Sequence, residues 1–132
     1  MSNMNISFII PTYNESSRIK FFLESLQTFR EKGSEIILSD GGSTDDTVQK
    51  ATKLCDKILK SEKGRSYQMN AGAGAASNQN LFFVHADSII PSHSEELIKK
   101  SLDKYSWGFF KIKLTSKKKV FRVVEFFMNK RS

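Results

Sequence analysis

At 132 residues with 39% hydrophobic side chains, the chain has the size of one globular domain and enough apolar material for its own core, which excludes bulk disorder, collagen and coiled-coil architectures. Its single cysteine excludes a disulfide scaffold and a cysteine-built zinc site, and no apolar run approaches the ~20 residues of a membrane span. The net charge of +7 lies wholly in the tail, because residues 1–110 carry 13 basic and 13 acidic side chains while residues 111–132 carry 8 and 1.

Residues 5–10 are β-formers ended by Pro11 and predict a buried strand. Residues 12–14 turn. Ser16 and Ser17 open a helix with Ile19, Phe22, Leu23, Leu26 and Phe29 on one face, and Gly33 stops it. Residues 35–39 form a second strand, followed by the tight turn Asp40-Gly41-Gly42-Ser43. Thr44 is placed to cap the next helix, with Asp45 and Asp46 at its positive end. Residues 56–59 are a short third strand, 64–77 a small-residue helix, 81–85 a fourth strand apolar on both faces, 91–105 a helix, 107–114 a fifth strand and 118–129 a last helix. Strands alternating with helices predict an α/β fold with a parallel sheet covered on both faces. Ligands of such sheets sit beyond the carboxyl ends of the strands. That rule singles out residues 11–15, 40–43 and 85–87.

Each of these segments has a chemical and a plain reading. The Asp40 carboxylate can accept hydrogen bonds from a base or ribose while Gly41 and Gly42 let backbone approach a ligand; the same four residues are also ordinary turn chemistry. Asp87, two residues after His85, can hold Mg²⁺ or Mn²⁺ together with a diphosphate, or simply cap a helix. The run from Gly72 to Ser77 imitates a dinucleotide fingerprint but follows a polar helical stretch and not a strand, so close helix packing is the expected use. Cys55 reads as a small core residue and His93 as a surface residue. Neither has a nucleophile–base partner in the sequence.

Four segments taken together are more specific: Ile-Ser-Phe-Ile-Ile-Pro-Thr-Tyr-Asn-Glu (6–15), Glu-Ile-Ile-Leu-Ser-Asp-Gly-Gly-Ser-Thr-Asp-Asp-Thr (35–47), Gly-Arg-Ser-Tyr-Gln-Met-Asn-Ala-Gly (64–72) and Leu-Phe-Phe-Val-His-Ala-Asp-Ser-Ile-Ile-Pro (81–91). In order and spacing they resemble the nucleotide-sugar half of family 2 glycosyltransferases, from residue 6 to residue 115. The wording around Gln68 and His85 is similar to the branch associated with arsenosugar biosynthesis. The resemblance implies a Rossmann-like GT-A half, a mostly parallel sheet flanked by helices, that binds a nucleotide-sugar donor, usually a UDP-sugar, for inverting transfer. It implies that Pro11, Thr12, Tyr13 and Glu15 line the base and ribose pocket, that Asp40 and Gly41 face the base, and that Gly64, Arg65, Asn70 and Ala86 lie along the donor, with Arg65 near the diphosphate. It implies that Asp87, with His85, binds the Mg²⁺ or Mn²⁺ that bridges the phosphates. A divalent cation and an arginine suit a diphosphate leaving group, because both offset the charge it develops.

Two departures follow. The usual metal motif is Asp-x-Asp, and here its first acid is His85. Family members also continue into an acceptor half that supplies the catalytic base, whereas this chain stops at Ser132 with Glu125 its one acid after residue 115. No catalytic residue is therefore assigned, and a C-terminally truncated unit is expected: a donor-binding domain over 1–115 and a basic amphipathic helix over 116–132. Val120, Phe121, Val123, Val124, Phe127 and Met128 would give that helix an apolar face, so a homo-oligomer built through it is expected. With residues 117–119, Lys130 and Arg131 at its ends, the same helix suits peripheral contact with an anionic membrane. A neutral body with a basic tail is not the basic face that nucleic acid selects, so no nucleic-acid partner is expected. One cysteine and no basic stretch before residues 6–10 predict a cytoplasmic setting, membrane-peripheral at most. Three functions compete: a transferase, a donor-binding module inactive without a partner chain, and a basic interaction protein.

Overall fold

Between Ile6 and Thr12 every side chain is buried, which a strand achieves only when both faces of its sheet are covered. In the computed structural model, which describes residues 5–104, 107–111 and 123–128, the chain runs β1 (Ile6–Thr12), α1 (Ile19–Ser25), α2 (Gln27–Glu31), β2 (Glu35–Asp40), α3 (Thr47–Ala51), β3 (Lys57–Lys60), α4 (Arg65–Ala75), β4 (Asn80–Phe83), α5 (Ser94–Lys104), β5 (Trp107–Lys111) and β6 (Val123–Met128). Strand order is β3-β2-β1-β4-β6-β5. The first four are parallel, and β6 pairs antiparallel with β4 and β5. The expected mostly parallel, helix-flanked sheet is what forms.

Period-2 alternation assigns the layers. Ile6, Phe8 and Ile10 join Ile36, Leu38 and Phe82 in the larger core, which α1, α2, α3 and α5 close with Ile19, Phe22, Leu23, Phe29, Ala51, Ile98 and Leu102. The Phe8 ring stacks on Phe29 at 5.4 Å and meets Phe82 edge-on at 5.3 Å. Ile9, Ile37 and Leu81 face the other way, toward Ala73 of α4. Here α4 lies close to β1: a Cβ on Gly72 would come within 2.4 Å of Ile9 Cγ2. The glycine of the imitation fingerprint is thus a packing residue.

The strand continues through Pro11. Ile9 O accepts from Val84 N at 3.0 Å, and Thr12 O accepts from Gly41 N at 2.9 Å. Odd positions of β1 therefore turn their backbone toward β4 and even ones toward β2. The last β1–β4 pair is Ile9 with Phe83. Pro11, on the odd parity, lies past that pair, so its missing N–H removes no ladder bond.

The structure corrects three expectations. The long first helix breaks at Leu26 into α1 and α2. The third helix begins at Thr47 after Asp46, and the Thr44 hydroxyl donates to Asn14 Oδ1 at 3.4 Å instead of capping it. Residues 123–128 are a strand, not part of a basic amphipathic helix. Val123, Val124, Phe126 and Phe127 are β-branched or aromatic and suit a pleated surface, and β6 is paired on both edges, Leu81 with Phe127 and Phe109 with Glu125 among its partners. The helical face from which an oligomer and a membrane contact were expected is therefore absent over 123–128. The rest of that expectation, Val120, Phe121, residues 117–119, Lys130 and Arg131, lies outside the described residues, as do residues 112–114 of the expected fifth strand. Among the described residues no helix is long and apolar enough to cross a membrane.

Candidate functional site

Strands β1, β2 and β4 present their carboxyl ends at one rim. From β1 the chain winds to β2 and β3 on one side and then places β4 on the other. The winding direction reverses between β1 and β4, and such a switch point leaves a crevice beyond the strand ends. On its β1 side the rim reaches further, because β1 runs on to Thr12 after its last partner on β4.

The loops on this rim are tied by side chains. Asp40, 4% exposed, accepts at Oδ1 from the Thr12 hydroxyl at 3.0 Å and the Ser43 hydroxyl at 2.6 Å, and at Oδ2 from the Gly42 and Ser43 N–H groups at 3.1 and 2.7 Å. The carboxylate that the family resemblance turns toward a base is thus engaged by four donors of the protein itself and holds the β2 turn against β1. Asn14 has a left-handed φ of 51°, a conformation that asparagine tolerates better than most residues. Its Oδ1 accepts from Thr44 N at 2.8 Å, and its own N–H donates to Ser43 Oγ at 2.8 Å. Glu15 N donates to Thr47 Oγ1 at 2.9 Å, and Ser16 N to Asp45 Oδ2 at 3.2 Å. The Thr47 hydroxyl also donates to Asp45. That bond first, with the Thr47 and Ser16 N–H groups, holds the Asp45 carboxyl below its ordinary range despite some desolvation.

The third segment is anchored by Gln68, 5% exposed. Its amide nitrogen donates to Thr12 O at 2.8 Å and to Ser39 O at 2.9 Å, and its amide oxygen accepts from Gly64 N at 3.2 Å. One side chain thus joins the ends of β1 and β2 to the start of α4. Gly41 is buried beneath it, with room for no Cβ beyond 3.0 Å from the amide. Gly64 has φ 150°, a region closed to other residues. Lys63 Nζ sits 3.8 Å from the centre of the Tyr13 ring. Arg65 and Asn70 are exposed on α4.

Across the switch point, Arg18 joins two acids. Its Nε is 3.2 Å from Glu15 Oε2 and its Nη1 3.5 Å from Asp87 Oδ2. Glu15 and Asp87 thus converge from neighbouring strand ends on one guanidinium. His85 and Ala86 precede Asp87 in a turn closed by Ser88 N donating to His85 O at 3.0 Å, with Ala86 buried and His85 half-buried. The described residues hold no group of three or more His, Cys, Asp or Glu arranged around a cation. Asp87 and His85, one carboxylate and one imidazole, fit a cation that completes its shell with phosphate and water, as Mg²⁺ does. They do not fit an all-protein metal cage.

The structure therefore brings together Pro11, Thr12, Tyr13, Glu15, Asp40, Gly41, Gly64 and Asp87 on one rim. Reading the sequence missed Arg18, Asn14, Lys63 and Gln68. Gln68 lies in the polar stretch that opens α4, so nothing local marks it, and its partners are remote in sequence. Cys55 is core as read: burial pushes its thiol up to about 12, which excludes a thiolate nucleophile.

The sequence profile described as Glycosyl transferase family 2 matches residues 7–124. Dolichyl-phosphate β-glucosyltransferase of Saccharomyces cerevisiae is 39% identical over 87 residues, covering 60% of this chain and 26% of that protein. The uncharacterized glycosyltransferase YibD of Escherichia coli is 30% identical over 77% of this chain and 32% of its own length. Among solved structures, S. aureus TarS superposes with a TM-score of 0.73 at 25% identity, over 89% of this chain and 38% of that one. Glucosyl-3-phosphoglycerate synthase of Mycobacterium tuberculosis, in complex with Mn²⁺, uridine diphosphate and phosphoglyceric acid, superposes with a TM-score of 0.69 at 22% identity, over 83% and 43%. The chain spans about a quarter to a third of the curated relatives it matches.

Proposed function

This chain belongs to glycosyl transferase family 2, and on that premise we propose that it is the part of such a transferase that holds a nucleotide-diphosphate sugar, a UDP-sugar with Mn²⁺ or Mg²⁺, for inverting transfer. The observation that carries this reading is the switch-point crevice, with Glu15 and Asp87 converging from β1 and β4. Pro11, Thr12, Tyr13 and Glu15 form the wall for the nucleoside. Asp40, oriented by the turn, and Gly41 face the base. Arg65, at the first position of α4, receives the diphosphate, where its guanidinium and the helix N-terminus both favour an anion. Asp87 and His85 would hold the cation, which supplies charge neutralisation at the leaving diphosphate. Gln68 and Asn14 keep the rim in one geometry, so that little ordering remains for the donor to impose. No catalytic base is assigned among the described residues, and in this reading the chain alone binds donor without turning it over.

Calorimetry on the 132-residue chain tests the reading. UDP binds when Mn²⁺ is present, and Arg65→Ala weakens UDP far more than uridine, because a guanidinium pairs with phosphate and not with the base. A folded chain that does not bind UDP with Mn²⁺, or equal losses for UDP and uridine, overturns it.

A further inference from the structure

Resting on that reading of the crevice, we propose that Arg18 is a resident counter-ion of the divalent-cation site: its guanidinium pairs with Asp87 until a cation arrives with the diphosphate, and the two compete for that carboxylate. Asp87 is mostly buried, with a side chain 15% exposed, whereas that of Arg18 is 49% exposed. A carboxylate set this deep beside Glu15 is stabilised by an opposite charge, and the ligand-free chain provides one from its own loop. The contact is loose. At 3.5 Å, Arg18 Nη1 meets a single oxygen of Asp87, while Nε is nearer to Glu15 at 3.2 Å. The geometry is therefore not the bidentate fork that makes an arginine–carboxylate pair strong. Mg²⁺ or Mn²⁺ on the Asp87 carboxylate, at about 2 Å from an oxygen, sets a second positive charge against that guanidinium, so the two compete for one carboxylate.

Displacement does not send Arg18 into bulk water. Glu15, three residues earlier on the same loop, retains its Nε. Entry of a cation on Asp87 then exchanges one ion pair for another, while Arg18 keeps Glu15 as its partner. Arg18 is thus a positioning residue that holds Asp87 in the empty site and sets the threshold for cation entry.

Mn²⁺ titrations followed by electron paramagnetic resonance, with UDP present, test this on the full chain and on Arg18→Gln, Arg18→Lys and Asp87→Asn, each checked for folding by circular dichroism. Removing a competitor that is half-exposed should tighten Mn²⁺ by about two- to fivefold in Arg18→Gln, the range expected for an exposed ion pair. Arg18→Lys should fall between it and the parent chain, because a lysine restores the charge without the planar fork. Asp87→Asn should lose Mn²⁺. Unchanged or weaker Mn²⁺ binding in Arg18→Gln, with binding still lost in Asp87→Asn, overturns the counter-ion role and leaves the donor-site reading standing. Unchanged binding in Asp87→Asn overturns both.

Discussion

Replacing Gln68 by leucine keeps the side-chain volume and removes three hydrogen bonds, two donated to Thr12 O and Ser39 O and one accepted from Gly64 N. Each intramolecular bond contributes about 1 kcal/mol net, and a donor left buried without a partner adds a further desolvation term. Thr12 O keeps a second partner, the Gly41 N–H at 2.9 Å, so the loss there is at the lower end. The expected destabilisation is about 3 kcal/mol, a large fraction of the ~5–15 kcal/mol by which a domain is stable. Gln68→Glu sharpens the test. A carboxylate can still accept from Gly64 N but has no proton for the two carbonyls, so at pH 7 it should destabilise at least as much as leucine. Urea denaturation followed by far-UV circular dichroism measures both, with an unchanged m-value marking a pure stability effect. A loss below about 1 kcal/mol in Gln68→Leu would refute the tie between the strand ends and α4 inferred from these bonds. So would a Gln68→Glu variant as stable as the parent, since shape alone would then suffice.

Two other outcomes are expected. Gly72→Ala places a methyl 2.4 Å from Ile9 Cγ2, so α4 or Ile9 must shift and thermal melting should show a loss of about 1–3 kcal/mol; Gly74→Ala meets nothing within 4 Å and should be neutral or stabilising. At the opposite rim of the sheet, burial raises the Glu35 carboxyl but is outweighed by hydrogen bonds from Ser77 N, Lys57, Ser7 and the Ser77 hydroxyl, so its pKa is lowered overall. A lowered carboxylate stabilises the fold above its unfolded pKa, near 4.3, and the benefit disappears as pH falls through the folded value. Glu35→Gln should therefore be less stable than the parent at pH 7 and equal to it near pH 3, and a gap independent of pH would refute that account.

Local patterns in the chain were enough for the parallel half of the fold. Apolar runs of β length, a helix with Ile19, Phe22 and Leu23 on one face and glycine-rich strand ends are properties of neighbouring residues, and they specify strands alternating with helices whatever the rest does. They also located the rim, because three polar loops follow three buried strands, and the order of the four motifs carried the family. The fate of residues 123–128 was not legible in the same way. Their apolar residues satisfy a helical period nearly as well as an extended one, and the choice fell to β4 and β5, which offer backbone partners on both sides. Side-chain partnerships on the rim were equally hidden. Asp40 is held by Thr12, Gly42 and Ser43, a tie that the turn sequence does not announce. Gln68 meets Thr12 from 56 positions away, and Arg18 meets Asp87 across the switch point. No periodicity encodes such pairs, because they depend on how a parallel sheet, winding first one way and then the other, sets remote strand ends side by side.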